Sequence, residues 1–251
     1  MNTLIDRLKV FLEKAYNYYL SRVTPLESVM LVTSLLVAGG IWGFVELADD
    51  VLEGDTRQID EWVMLLLRNP DDLSDPLGPL WFEEMMRDIT AFGSIIFLTF
   101  LSLAVVGFLV LKKKKGMALF TTAALSGGLL LSNLLKYSFN RPRPDLVPHG
   151  AYVMSASFPS GHSMLSAVVF LTLGGLIARY TKQNQLKVYA LTLSLLATFM
   201  VGCSRVYLGV HWPTDVLAGW TAGSSWALFC WVCVIFLQRR GRVEDNLRDE
   251  K

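Results

Sequence analysis

Two polar stretches organise this chain: residues 136–162, KYSFNRPRPDLVPHGAYVMSASFPSGH, and residues 204–215, SRVYLGVHWPTD. Both adjoin long apolar runs, where charged side chains are costly unless they have a partner or a function. Guanidinium groups fork onto phosphate oxygens, an ammonium group adds a point charge, and imidazoles attack or transfer protons. The cations and histidines of the two stretches therefore predict a site for a phosphate-like anion. They are Lys136, Arg141, Arg143, Arg205, His162 and His211.

The composition favours a membrane protein with a single domain, residues 1–251. Apolar residues make up 53% of the chain and charged residues 18%, which is more apolar than an ordinary soluble domain. The formal net charge of +1 provides no basic surface for nucleic acid, so no nucleic-acid partner is expected. The three cysteines lie in apolar runs and are interpreted as helix-packing residues rather than as disulfide or metal ligands. They are Cys203, Cys230 and Cys233.

Six apolar runs reach the roughly twenty residues that a helix needs to cross a bilayer. The predicted fold class is all-α: a polytopic membrane bundle of six transmembrane helices with an N-terminal amphipathic interfacial helix. The predicted spans are residues 26–48, 90–111, 116–137, 163–180, 187–208 and 213–237.

Three segments outside the spans have their own patterns. Residues 1–22 place leucines at helical spacing among charges and end in tyrosines, which predicts a helix in the membrane interface. A loose solvated arm is the alternative, and a cleaved signal peptide is not expected. The acidic residues 49–89 are predicted to form an extracytoplasmic loop with a short helix at 59–67 and a turn-rich part at 71–79. Residues 138–160 are the predicted active-site loop.

Basic residues in the short loops predict the orientation. They occur in the N-terminal arm, in the KKKK turn at 112–115, around the turn at 179–187 and after residue 238. With six spans these regions share one side, which is predicted to be cytoplasmic along with both termini. Counting spans in the same way, the ends of the helices that carry the motif residues lie on the opposite, extracytoplasmic face. These residues are Lys136, Ser160 to His162, Arg205 and the 211–215 segment. Polar residues that are scattered in the sequence therefore form one predicted cluster.

Small residues mark predicted helix contacts. Gly39 and Gly43, and Gly219 and Gly223, have the GxxxG spacing of closely packed membrane helices. Close packing inside the bundle is the expected role, with a dimer face as the alternative.

The cluster has the features of an anion site with a reactive histidine. Ser160, Gly161 and His162 stand at the start of a predicted helix, where backbone N–H groups face an anion. Asp215 follows His211 by four residues and could hold one imidazole nitrogen, which leaves the other free to attack. Asp215 is expected to raise the pKa of His211. Helix capping is the plainer and compatible role of Asp215.

These residues match a known pattern. The chain resembles the type 2 phosphatidic acid phosphatase superfamily, whose motifs are K-x6-R-P, P-S-G-H and S-R-x5-H-x3-D. Here the first motif runs from Lys136 to Arg143–Pro144, the second is Pro159 to His162, and the third runs from Ser204–Arg205 through His211 to Asp215.

The resemblance implies roles for the motif residues. His211 would attack phosphorus and form a phosphohistidine, Asp215 would orient it, and His162 would protonate the leaving oxygen. No metal or other cofactor is implied, because cations supply the charge that a metal would. The phosphate oxygens would be held by Lys136, Arg143, Ser160, Gly161 and Arg205.

Other polar residues have less specific predictions. Arg141 and Ser204 are candidates for an assisting role, with a salt bridge or rim position as the alternative for Arg141. Asp88, Thr90 and Gly93 open the second span at the same face and are candidates to pack beside the site, with helix capping as the alternative for Asp88 and Thr90. His149 is expected at the surface or at a gate.

The sequence thus predicts an integral-membrane lipid phosphatase of the cell membrane that acts on a lipid phosphomonoester or diphosphate. Phosphatidylglycerol phosphate, phosphatidic acid and undecaprenyl diphosphate are the candidate substrates. A lipid phosphotransferase using the same phosphohistidine is the alternative, and a non-catalytic transporter is a further one. The expected partners are the lipid phosphate and the bilayer; no protein partner is predicted.

Overall fold

The computed structural model describes residues 24–151 and 156–243, together with residues 6 and 10. Residues 6 and 10 belong to the predicted interfacial helix at 1–22 and are helical; the rest of that prediction lies outside the described residues. The predicted all-α membrane bundle is confirmed, since the described chain is largely helical.

Eight helices and one short hairpin make up the described part of the chain. The helices are α1 (Pro25–Glu53), α2 (Arg57–Leu65), α3 (Leu80–Ala91), α4 (Ile95–Leu111), α5 (Lys115–Ser138), α6 (Gly161–Tyr180), α7 (Asn184–Tyr207) and α8 (Pro213–Arg239). The hairpin pairs β1 (Arg68–Asn69) with β2 (Asp72–Pro76) in antiparallel fashion.

Five helices are long and apolar enough to cross a membrane by themselves: α1, α5, α6, α7 and α8. The sixth span is less regular, because α4 has 17 residues and continues from α3 through a bend of 49°. The prediction that this span starts at residue 90 was therefore wrong in detail. Thr90 lies in the last turn of α3, and α4 starts only after Ser94, whose hydroxyl accepts the N–H of Phe97 at 3.2 Å.

The segment at 49–89 is more ordered than the predicted loop. Helix α1 continues to Glu53 and is ended by Gly54, whose φ of 88° lies in the left-handed region that glycine adopts without strain. The predicted short helix is present as α2, but the predicted loop at 71–79 contains β2, and α3 follows it. Within α3, Arg87 pairs with Glu83 one turn earlier.

Helix α6 lies at the centre of the bundle and packs against α7 and α8. An added Cβ at Gly219 would lie 2.7 Å from the carbonyl oxygen of Ser160, and one at Gly223 would lie 2.4 Å from that of Met164. These glycines therefore let α8 approach the backbone of α6, as the spacing predicted. The same prediction was wrong for Gly39 and Gly43, because no atom lies within 4 Å of a Cβ added at either position.

The active-site loop is fixed at both ends by aromatic packing. Phe139 follows α5, Phe158 precedes α6, and their ring centroids lie 5.0 Å apart. Both rings also pack against Phe44 of α1, at 6.3 and 5.9 Å. Packing of these rings, of which Phe158 is fully buried and the other two are partly buried, holds the start of α6 against the end of α5, where the polar residues of the motifs meet.

Candidate active site

The start of α6 is tied to the start of α8. The hydroxyl of Ser160 accepts bonds from the Ser163 N–H and hydroxyl, which makes Ser160 the N-cap of α6. Its backbone N–H donates to the carbonyl oxygen of Asp215 at 2.9 Å. Gly161 lies against Lys136, since an added Cβ would be 3.0 Å from the lysine Cε. The second motif therefore touches both the first and the third.

The two nitrogens of His211 have different partners. Nδ1 lies 3.4 Å from a carboxylate oxygen of Asp215, and Nε2 lies 3.3 Å from a guanidinium nitrogen of Arg143. A carboxylate only accepts and a guanidinium only donates, so the pattern assigns the proton to Nδ1 and the lone pair to Nε2. Nε2 is the nitrogen that can attack an electrophile held by Arg143.

Burial controls the charge of His211, which is only 1% exposed. Removal from water lowers the pKa of His211 to about 4, while its hydrogen bond to Asp215 and the carboxylate charge act in the opposite direction. The predicted effect of Asp215 on the pKa of His211 is therefore present, but burial has the larger effect. The imidazole is neutral in the resting protein near neutral pH.

Asp215 has both of the predicted contacts. It accepts the backbone N–H of Trp212 at 2.9 Å, as a residue in the first turn of a helix does, and it also faces His211. A third donor to the same oxygen is the hydroxyl of Ser157. The other oxygen accepts from Arg141 at 2.6 Å. The carboxylate is fully buried and held at both oxygens.

Three cations surround this histidine. Arg143 donates to the carbonyl oxygen of Val210 as well as to His211, and Lys136 donates to that of Ala156 at 3.3 Å. Arg205 is 3% exposed and donates to Thr90 at 2.9 Å, but its buried Nε has no hydrogen-bond partner within the described chain. Burial lowers the pKa of Arg143, which means that its charge is poorly solvated. A bound anion would stabilise all three groups.

His162 completes the cluster from the first turn of α6. It lies within electrostatic range of His211 and of the three cations. A Cβ added at Gly93, in the bend before α4, would lie 3.1 Å from the ring. Gly93 and Thr90 thus do pack beside the site, the first against His162 and the second against Arg205.

The structure brings the predicted catalytic and phosphate-binding residues to one end of the bundle. The two assisting candidates are placed differently. Arg141 forms the salt bridge that was the alternative to phosphate binding, with Asp60 and Asp215 as its partners. Ser204 donates to Val201 of its own helix at 2.7 Å and is fully buried. His149 is exposed, as predicted, and contacts the carbonyl oxygen of Pro144 at 2.8 Å.

Sequence reasoning missed two residues of this site. Ser157 lies three positions before Ser160 and contacts Asp215, but a lone serine in a loop has no distinctive pattern. Asp60 lies in α2, far from the motifs in sequence, and one aspartate among many in an acidic segment gives no signal. Among the described residues, no group of three or more His, Cys, Asp or Glu side chains could hold a metal ion.

Comparison with known proteins agrees with this architecture. The PAP2 superfamily model matches residues 115–239. The chain is 34% identical over 146 residues to phosphatidylglycerophosphatase B of Bacillus subtilis, which covers 57% of this chain and 70% of that protein. It is 30% identical over 190 residues to lipid A 1-phosphatase of Rhizobium etli, which covers 66% of this chain and 76% of that protein.

A solved structure is also similar. The crystal structure of a transmembrane PAP2-type phosphatidylglycerolphosphate phosphatase from Bacillus subtilis matches with a TM-score of 0.68 at 29% identity. The match covers 80% of this chain and 96% of the other. Sequence, fold and the three motifs therefore lead to the same conclusion. The chain belongs to the PAP2 superfamily, in the group of membrane proteins that includes lipid phosphatases.

Proposed function

We propose that this protein hydrolyses a lipid phosphomonoester or diphosphate through a phosphohistidine formed at His211. Nε2 of His211 attacks phosphorus, the bond from phosphorus to the lipid oxygen breaks, and that oxygen takes a proton from His162. A water molecule then gives a proton to His162 and attacks the phosphohistidine, which releases inorganic phosphate and restores His211.

One observation carries the proposal: the arrangement around His211. Asp215 holds the proton on Nδ1, so the lone pair of Nε2 points to Arg143, which would hold a phosphate oxygen. An in-line attack needs the nucleophile beside the bound phosphoryl group. The unpartnered Nε of buried Arg205 is a second donor suited to such a group.

A lipid substrate follows from the surroundings of the site. The residue before Lys136, Leu135, lines an apolar cavity of about 360 Å³ between α1, α5 and α8, together with Phe44 and Leu131. A phosphate at Lys136 would therefore have apolar surface next to it for a lipid chain. The activities for which the relatives are named support the same class, with phosphatidylglycerol phosphate, phosphatidic acid and undecaprenyl diphosphate as the candidates.

The decisive experiment measures phosphate release from these three lipid phosphates by the purified protein, with His211→Ala as the control. We expect turnover of at least one lipid by the wild-type protein and none by the variant. Analysis of the products separates hydrolysis from transfer: free phosphate indicates water as the acceptor, whereas a newly phosphorylated lipid indicates a phosphotransferase. Equal turnover by His211→Ala would disprove the proposed nucleophile.

The proposed reaction needs no metal ion, because Lys136, Arg143 and Arg205 neutralise the phosphoryl charge. Full activity is expected in excess chelator, with inhibition by vanadate as a phosphate mimic. Loss of activity in chelator that magnesium restores would contradict this mechanism.

A further inference from the structure

A buried carboxylate outside the motifs contacts the start of α8. Asp60 in α2 is fully buried and accepts the backbone N–H of Thr214 at 2.9 Å through one oxygen. Its other oxygen accepts from the hydroxyl of Thr214 at 2.7 Å and from Arg141 at 2.7 Å. The Thr214 N–H is one of the helix-start donors that lack a partner within α8, so Asp60 fixes this helix end from a different element.

Arg141 joins the two buried carboxylates. One guanidinium nitrogen donates to Asp60, and the other donates to Asp215 at 2.6 Å and to Thr214 at 2.8 Å. The side chain is 13% exposed, and its guanidinium lies 5.5 Å from the ring centre of Trp212. Both ends of its fork are therefore engaged with protein groups rather than directed to an open phosphate site.

This arrangement contributes to the orientation of Asp215. Arg141 holds one carboxylate oxygen, and the other accepts from the Trp212 N–H and the Ser157 hydroxyl and faces Nδ1 of His211. A carboxylate held at one oxygen can rotate about its bond, whereas one held at both oxygens keeps its plane. Buried ion pairs add little net stability in general, so stability alone is a weak reason for placing three buried charges here.

We propose that Asp60 and Arg141 are positioning residues of the reaction: Asp60 fixes Arg141, Arg141 fixes Asp215, and Asp215 fixes the imidazole of His211. The inference rests on the proposed function, because it assigns these residues to the orientation of the nucleophile. Neither residue touches the substrate. Their loss should slow the chemical step and leave the binding of the phosphate group almost unchanged.

The test compares kcat and KM for phosphate release in Arg141→Gln, Arg141→Lys and Asp60→Asn. Asp60→Asn places an amide N–H where a carboxylate oxygen accepted, and Arg141→Gln removes the cation between the carboxylates. We expect kcat to fall by about 10–100-fold, the range for lost partners of site ligands, with KM and inhibition by inorganic phosphate within about threefold of wild type. Arg141→Lys, which retains a cation but not the fork, should recover part of kcat.

A matched control and a double variant separate positioning from general damage. Glu61→Gln removes a neighbouring carboxylate of α2 that forms a surface pair with Arg57, and it should leave kcat unchanged. The double variant Asp60→Asn/Arg141→Gln should be no slower than Arg141→Gln, because Asp60 acts through Arg141. If the decreases in kcat of the two single variants multiply in the double variant, Asp60 does not act through Arg141.

Other outcomes would overturn the proposal outright. A large rise in KM and weaker inhibition by phosphate, with kcat unchanged, would make Arg141 a substrate-binding residue. Full kcat in Arg141→Lys or in Asp60→Asn would show that the fork is not needed. Wild-type turnover and its loss in His211→Ala test the proposed function itself, whereas the ratio of variant to wild-type kcat tests the positioning role.

Discussion

At the scale of single residues, the chemistry depends on which nitrogen of His211 carries the proton. The carboxylate of Asp215 decides this, and burial decides that the ring stays neutral. Asp215 raises the pKa of His211 and burial lowers it, so the two effects oppose each other there. Both favour the nucleophile, because Asp215 selects the tautomer and burial keeps the lone pair of Nε2 available.

The titration of His211 is the first prediction. With a pKa of about 4, His211 is neutral above about pH 4 and gains a proton only below it, instead of near the usual value of about 6.5. The nitrogen chemical shifts of isotope-labelled histidine measure this directly, and His211→Ala assigns the signal among the three histidines. In Asp215→Asn the midpoint should fall further, because the carboxylate that favours the charged ring is gone. A midpoint near 6.5 would contradict the effect of burial.

The second prediction separates the roles proposed for His211 and His162. His211→Ala should abolish turnover of every substrate, because the nucleophile is needed whatever group leaves. His162→Ala should slow hydrolysis of phosphatidic acid by a factor of about 10²–10⁴, since a lipid alkoxide leaves poorly without a proton. The loss should be clearly smaller for an aryl phosphate or a lipid diphosphate, whose leaving groups need less protonation.

Rates are compared between substrates for the same variant, so that any loss of folded protein cancels. A uniform loss in His162→Ala, combined with a leaving-group dependence in His211→Ala, would reverse the two assignments.

The sequence predicted which residues form the motifs and that the three motifs lie close together. The spacing within each motif is fixed, and the number of helices between motifs determines the membrane side on which each one lies. The pairing of His211 with Asp215 could be predicted because the two residues are four positions apart at the start of one helix. The contacts of Asp60 with Arg141 and Thr214 could not be predicted, because they join residues more than 80 positions apart and depend on where α2 packs. The sequence indicated the effect of Asp215 on the pKa of His211 but not the larger effect of burial, because burial is a property of the fold.

At the scale of elements, the site depends on how closely α8 approaches α6. The backbone N–H of Ser160 reaches the carbonyl oxygen of Asp215 only because Gly219 and Gly223 present no Cβ to α6. The lengths of the apolar runs predicted the membrane-spanning helices, but they did not predict the bend before α4 or the hairpin. Those features depend on the cap at Ser94 and on pairing between short strands, for which hydropathy has no signal.

The third prediction concerns this helix contact. Gly223→Ala puts a methyl group 2.4 Å from the carbonyl oxygen of Met164, so α6 and α8 must separate. Overpacking of this kind costs about 1–3 kcal/mol, and the shift should also displace Ser160 and lower kcat. Thermal inactivation in detergent and phosphate release measure the two effects.

Gly39→Ala is the matched control, because it makes the same change in a helix where a Cβ meets nothing within 4 Å. It should leave both quantities unchanged or raise stability slightly. Equal effects of the two substitutions would remove the packing explanation.

At the scale of the whole molecule, the loop that joins α5 to α6 and the loop that joins α7 to α8 lie at the same end of the bundle, because α6 and α7 run between them. That end carries the polar cluster, and the turn between α4 and α5, at 112–115, carries four consecutive lysines at the other end. The proposed phosphate site and the basic turn therefore lie at opposite ends of α5. Because basic residues in short loops favour the cytoplasmic side during insertion, we predict that the lysine turn is cytoplasmic.

The last prediction is therefore topological. A cysteine introduced at Pro148, in the exposed loop beside the site, should react with a membrane-impermeant thiol reagent in intact cells, whereas one at Lys113 should react only after the membrane is opened. The native cysteines lie in the spans α7 and α8, so a variant lacking them gives the background. Only α5 lies between the two positions, so the comparison tests whether α5 crosses and which of its ends faces the cell exterior, whether or not the bent pair α3–α4 crosses. If both positions are labelled from the same side, α5 does not cross; if only Lys113 is labelled in intact cells, the site faces the cytoplasm and the substrate must be presented from the inner leaflet.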